Sequence, residues 1–432
     1  MYTKSLNTKN SNFTIQKIWI VFAVCLAILA GTYNNLFSYV ALALSAFALV
    51  ILSEEDIIAF LMFLMPFANI FKASPESQSF FTYLILLYVL ICVFKNPRLH
   101  NKFLFTFLLL FAFLMTQTII IFNLMRVIKF LVNILFIYFA LNAYSTSNSN
   151  RIFIFYILGI LISSAIAALQ IIPNLSNYVE AEELLIEYEQ FYRFTGLYSD
   201  PNYYSINVII ALCLIVVLNH NKALKNIWAI ALSVVMVLFV SMTLSKSAFA
   251  MLVLPLILLF YSKIKKKKYF VFISLVTLSV VLMQEIFFKD GGIFDLTLRR
   301  FDSATDLTTL TTGRYKLWVT YVEFLCSDFK MMLFGGGFGA ELIEKRASHN
   351  TYIDLIYYLG IIGTVILLSV FGVLLNLKKN TKKANLLNYS VWICMAIMYF
   401  FLSELFYYDW AFHVIIATYI SKLNMSRVNE EK

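Results

Sequence analysis

Between Arg151 and Ile172 the chain reads RIFIFYILGILISSAIAALQII. One charge opens the stretch, and the apolar run behind it is long enough to cross about 30 Å of hydrocarbon as a helix. Comparable runs recur at 15–31, 34–53, 57–71, 79–94, 103–122, 126–144, 202–219, 226–244, 246–262, 269–288, 350–377, 386–403 and 405–421. Only 13% of the 432 residues are charged and 61% are hydrophobic, whereas soluble domains are about 25% charged. In hydrocarbon every backbone N–H and C=O needs an internal partner, which a helix supplies within its own segment. The expected fold is therefore all-α: a polytopic integral membrane bundle of about 14 transmembrane helices. Pro66 predicts a kink in the short third run.

Charge placement orients the bundle. The net charge of +10 is compatible with nucleic acid, but the basic residues fall in short loops between spans, where they encode topology. Lys95/Arg98/Lys102, Lys222/Lys225, Lys263 to Lys268 and Lys378 to Lys383 share one side with both termini, the cytoplasmic side by the positive-inside rule. Ser53-Glu54-Glu55-Asp56 is an acidic exception on that side. The start, Met1 to Ser11, is polar and carries no signal-peptide pattern. Residues 1–150 read as N-terminal transmembrane helices and 151–365 as the motif-bearing region. Residues 366–432 read as C-terminal helices and a cytoplasmic tail.

Two external loops, 173–201 and 289–349, are long enough to hold short helices. In the first, Leu184, Leu185, Tyr188, Phe191 and Tyr192 recur at helical spacing, which predicts an amphipathic helix on the membrane surface leading to Arg193. In the second, Leu317, Tyr321, Phe324 and Leu325 predict a helix around 312–326.

Polar residues gather on this external side. Arg193 precedes Gly196 and Asp200-Pro201-Asn202, where Asp200 suits a helix cap and Pro201 a first turn. Lys246 sits in the tight hairpin Thr243-Leu244-Ser245-Lys246-Ser247. Arg314 follows Thr312-Gly313, Arg299 and Arg300 lie upstream, and His349-Asn350 stands at the mouth of a span. Arg126 and Lys129 lie near the outer end of the sixth span, where they can also snorkel to headgroups. A guanidinium forks two donors onto one phosphate, so Arg193 and Arg314 suit an anionic lipid-borne substrate. Each also has a plainer reading: an ion pair to a loop glutamate, a solvated arginine, a structural histidine. Phe334-Gly335-Gly336-Gly337-Phe338-Gly339 lacks the lysine and the strand–turn–helix setting of a nucleotide loop, so a hinge or a close backbone approach is expected there. The five cysteines are spread singly, and no metal-ligand spacing is present.

In this order, Arg193–Gly196–Asn202, Thr243–Lys246, Thr312–Gly313–Arg314…Trp318, Leu333–Gly339 and His349–Asn350 resemble the O-antigen polymerase and ligase superfamily. The resemblance covers about residues 190–365 and departs from it at Lys246, where many members carry arginine. It implies a membrane glycosyltransferase of the bacterial inner membrane that needs no metal or cofactor. Its substrate would be an undecaprenyl-diphosphate-linked oligosaccharide, polymerised at the outer face, with a chain-length regulator and a flippase as pathway partners. Arg193, Arg314 and His349 would be catalytic, and Gly196, Asn202, Lys246, Arg300 and Asn350 would bind substrate. A ligase acting on lipid A core and a transporter of such lipids are the alternatives.

Overall fold

The computed structural model describes residues 15–72, 79–95, 99–120, 123–143, 149–171, 185–188, 191–261, 311, 313–376, 386–403, 405 and 407–423. Arg300, Thr312 and the expected span at 269–288 lie outside them. The described chain is a helical membrane-protein bundle with one small β-hairpin. Its helices are α1 (Ile15–Gly31), α2 (Asn35–Ile51), α3 (Glu54–Leu64), α4 (Phe81–Lys95), α5 (Asn101–Ile120), α6 (Leu124–Asn142) and α7 (Ser149–Ile171). After the hairpin come α8 (Pro201–His220), α9 (Asn226–Met242) and α10 (Lys246–Tyr261). The described chain then continues with α11 (Arg314–Ser327), α12 (Phe329–Phe334), α13 (Thr351–Asn376), α14 (Ser390–Met398) and α15 (Asp409–Leu423). Five are both long and apolar enough to cross a membrane: Asn101–Thr118, Leu124–Asn142, Ser149–Leu169, Pro201–His220 and Thr351–Asn376. The other apolar helices are shorter.

Helix α8 is the axis of the bundle. It is buried from Pro201 to Leu218 and packs against α7, α9, α10 and α14. At the periphery, α5 turns Phe105 and Leu108 outward, as a lipid-facing surface requires. Association in lipid depends on close packing rather than on expelling water. Where α7 crosses α3, a Cβ on Gly159 would sit 2.4 Å from the Phe63 carbonyl oxygen, so glycine alone permits the crossing. Pro66 stands in a single 3₁₀ turn, Met65–Phe67, that ends α3. At the N-terminal ends of α3 and α7, buried Asp56 pairs with Arg151 at 2.6 Å, which accounts for one acidic residue of the exceptional loop.

Two expectations are corrected. The stretch before Arg193 is not an amphipathic helix over its described residues. Leu185–Tyr188 (β1) and Phe191–Phe194 (β2) pair antiparallel, Ile186 facing Arg193 and Glu187 facing Tyr192. Short runs of leucine, isoleucine and aromatic residues satisfy both periods, and backbone pairing decides between them. The expected span at 386–403 is helical only through Met398 after a 3₁₀ turn at Leu386–Tyr389. The described residues beyond it form an irregular connector to α15.

The glycine-rich stretch is a close backbone approach. Gly360 interrupts α13 at φ 65°, ψ 179°, a region open essentially to glycine. This break leaves carbonyls of the preceding turn in need of donors. Gly336 N–H donates to the Tyr357 carbonyl at 2.8 Å and Gly337 N–H to the Tyr358 carbonyl at 3.0 Å. The Gln117 amide adds a bond to the Tyr358 carbonyl at 3.2 Å and one to the Phe334 carbonyl. A Cβ on Gly360 would lie 2.4 Å from Gly335 N and from the Leu333 carbonyl oxygen.

Candidate functional site

Segments far apart in sequence meet at one end of the bundle: β2 and the turn before α8, the α9–α10 hairpin, residues 313–350, and the connector 399–408. Asp200 caps α8 by accepting from Asn202 N at 2.6 Å, with Pro201 in the first turn. Arg193 is buried beside that cap. Its Nε donates to the Thr243 carbonyl at 3.0 Å and a terminal nitrogen donates to Asn202 Oδ1 at 3.3 Å. Ser245 Oγ donates to the same Asn202 oxygen at 2.7 Å. Arg193, Asn202 and the hairpin are thus one polar cluster. Lys246 is half-buried at the first position of α10, directly after Ser245. Leu244 turns the hairpin at φ 48°.

Gly196 has a steric reason for its identity. Its φ is +60°, and a Cβ there would meet the Tyr204 ring at 2.5 Å. It shapes the turn that carries Tyr198 and Asp200.

Helix α11 stands where expected, with Leu317, Tyr321 and Leu325 buried and Phe324 on the exposed side. It pins the approach to His349. Trp318 Nε1 donates to the Ser348 carbonyl at 3.0 Å, and Tyr321 OH to the Arg346 carbonyl at 2.7 Å. Asn350 caps α13, its Oδ1 accepting from Tyr352 N at 3.0 Å and Ile353 N at 3.2 Å. Asn350 N–H bonds Ser348 Oγ, which donates in turn to Asp354 at 2.6 Å. Between these fixed neighbours His349 is held at φ 52°. Non-glycine residues seldom adopt that conformation, and where they do it concentrates at functional sites.

Two charges act on the His349 imidazole. Burial pushes the His349 imidazole below its ordinary range, the Arg314 cation pushes it the same way, and the Asp200 carboxylate opposes both. Arg314 is itself anchored, donating to the Phe401 carbonyl at 2.7 Å. The connector collects the other segments as well: Thr351 N donates to the Tyr399 carbonyl at 2.8 Å and Tyr203 OH to the Ser403 carbonyl at 2.9 Å. A neutral imidazole beside a guanidinium can accept a proton while the guanidinium holds negative charge.

The sequence-predicted residues therefore fall into two neighbouring groups. Arg314, His349 and Asn350 gather with Asp200. Arg193, Gly196, Asn202 and the Lys246 hairpin build the wall behind the α8 cap. Reasoning on sequence missed Asp200 as a charge partner and the connector as a scaffold. The Ser403-Glu404 pair and Asp409, which interrupt the apolar run, were the available signal.

Arg193→Ala should act mainly on stability. It would leave the Thr243 carbonyl without its Nε donor, while Asn202 keeps Ser245. A buried acceptor without its donor costs about 1–3 kcal/mol. Thermal unfolding of the purified variant in detergent should show this loss, and an unchanged midpoint with abolished activity would instead make Arg193 a substrate contact.

No family model matches the sequence, and no curated protein or solved structure matches it.

Proposed function

We propose that this protein is a bacterial polysaccharide polymerase, transferring a growing glycan from undecaprenyl diphosphate onto a lipid-linked repeat unit at the outer membrane face. The observation that supports it best is that Arg314 and the turn after His349 are anchored on one connector, at the Phe401 and Tyr399 carbonyls, with Asp200 acting on the His349 imidazole; this reading takes that bundle end as external. On this reading the chain crosses the membrane about 14 times, with both termini cytoplasmic. The ordered motifs between about 190 and 365 resemble the O-antigen polymerase and ligase superfamily and point the same way.

The chemistry is a displacement at the anomeric carbon. The acceptor hydroxyl oxygen bonds to that carbon, the bond to the diphosphate oxygen breaks, and both electrons leave with the lipid diphosphate. His349 takes the hydroxyl proton, and Arg314 stabilises charge on the leaving group. Asn350 and the Asn202–Lys246 wall shape the acceptor side, and Arg193 holds that wall.

The test supplies lipid-linked repeat units, with lipid A core as a competing acceptor, to the purified full chain in detergent and measures glycan length and the acceptor used. Longer chains with release of undecaprenyl diphosphate are expected. Transfer only onto lipid A core would make the protein a ligase. A buried polar network favours transport as the second reading: Asn207 bonds Tyr156, Asp409 and His413, and His413 bonds Tyr399. Micelles have no two sides, so a transporter would leave every glycan unchanged in this assay.

A further inference from the structure

Helix α11 carries apolar side chains on two faces. Leu317, Tyr321 and Leu325 are turned into the bundle, with Phe324 at the edge of that face. Tyr315, Val319, Val322 and Cys326 are exposed, and at 3.6 residues per turn they fall within about 60° of arc. Lys316, Glu323 and Ser327, exposed as well, form a strip of about the same width next to it. A helix bathed in water on its outer side carries polar residues across all of it. This one divides its outer side between an apolar strip and a polar strip, as a helix lying in a membrane surface does.

The level of α11 is fixed by its neighbour. Asp328 alone separates it from α12, which it caps by accepting from Lys330 N and Met331 N, both at 3.0 Å. Helix α12 packs along α13, and the Phe334 carbonyl at its end accepts from the Gln117 amide. Gln117 stands one residue before the end of the membrane-crossing stretch of α5, Asn101–Thr118. Phe334 is therefore level with the end of a span. It is 52% exposed and Phe329 is 65% exposed, while Ile361, Ile362 and Val365 of α13 also face outward. The two phenylalanines continue the apolar outer surface of the spans, at the depth where aromatic side chains favour the interface.

We infer that α11 and α12 lie in the external surface of the bilayer as one interfacial element. Tyr315, Val319, Val322, Cys326, Phe329 and Phe334 sit among the acyl chains, and Lys316, Glu323 and Ser327 face water. The partner is the lipid surface itself. This seating does not depend on the transfer reaction, since a ligase or a transporter would hold the element in the same way. It sets Arg314, the first residue of α11, at the level of the headgroups.

The experiment puts a nitroxide label on each strip of the full chain in phosphatidylethanolamine–phosphatidylglycerol nanodiscs. It compares collisions with oxygen, which partitions into hydrocarbon, and with a water-soluble nickel chelate. Cys25→Ser and Cys326→Ser leave only cysteines buried in the bundle, so the label goes to Val322→Cys, Glu323→Cys or Phe329→Cys, one at a time. A thermal midpoint like that of wild type verifies that each labelled chain is folded. Labels at 322 and 329 should collide more with oxygen and the label at 323 more with the chelate, a reversal between adjacent residues. Preference for the chelate at 322 or 329 would mean that the strip stands in water. Preference for oxygen at 323 would mean that α11 is wholly immersed. Little collision with either reagent at 322 would mean that another segment of this chain or a second copy covers the strip. Each of these three results overturns the inference.

Discussion

Replacing His349 with alanine should lower glycan transfer by roughly 100- to 10,000-fold, the span associated with removing an acid–base group, while leaving the protein folded. Alanine is strained at φ 52°, by roughly 1–2 kcal/mol, so His349→Asn is the better-matched control, since asparagine tolerates that backbone more readily. Both variants should lose rate alike if the imidazole carries the proton. Wild-type turnover should rise with pH on the acid side and level off before neutrality. The sign follows from the surroundings. The base works when neutral, and burial together with Arg314 disfavours its charged form. The rising limb therefore lies below the usual imidazole range, and activity is full by neutral pH. The variants should lack this limb. A limb that persists in His349→Asn would assign the proton transfer to another group.

Arg314→Ala should cost on the order of 100- to 1000-fold in transfer, the typical loss of one preorganised charge-stabilising contact. Arg314→Lys should recover only part of it, because an ammonium cannot reproduce the guanidinium's paired donors. The residual activity of these variants carries a second, sharper signature. Removing the Arg314 charge takes away one of the influences that lowers the His349 imidazole, so the limb should move to higher pH. Asp200→Asn keeps an amide oxygen able to cap α8 but removes the opposing charge, so its limb should move to lower pH. Measuring both profiles decides the matter: shifts of opposite sign support the triad, and limbs that coincide with wild type would show that the three groups do not communicate during turnover.

Much of the bundle was legible because a helix in lipid must be long and apolar, and that requirement is written in consecutive residues. The Asp200-Pro201 start of α8 and the apolar face of α11 were readable for the same local reason. Pairing is different. The hairpin at 185–194 satisfied helical spacing equally well, and only the antiparallel register of Ile186 with Arg193 separates the two. The connector after Met398 escaped notice because its aromatic residues read as a continuing span. Among site residues, the arginines and His349 stood out by their chemistry. Asp200 did not stand out as a charge partner, since its influence on His349 depends on which helix ends are neighbours. Gly335 and Gly360 were each visible as glycines, but nothing local joins two positions on different elements.

That join bears on how the protein is made. A helix broken at Gly360 enters hydrocarbon with carbonyls that its own backbone cannot satisfy, at several kcal/mol for each one left unpaired. The donors come from Gly336 and Gly337, which leave the ribosome before α13 does. The break in α13 is thus provided for in the order of the chain itself: the N–H groups that its carbonyls need are made before the helix that carries those carbonyls.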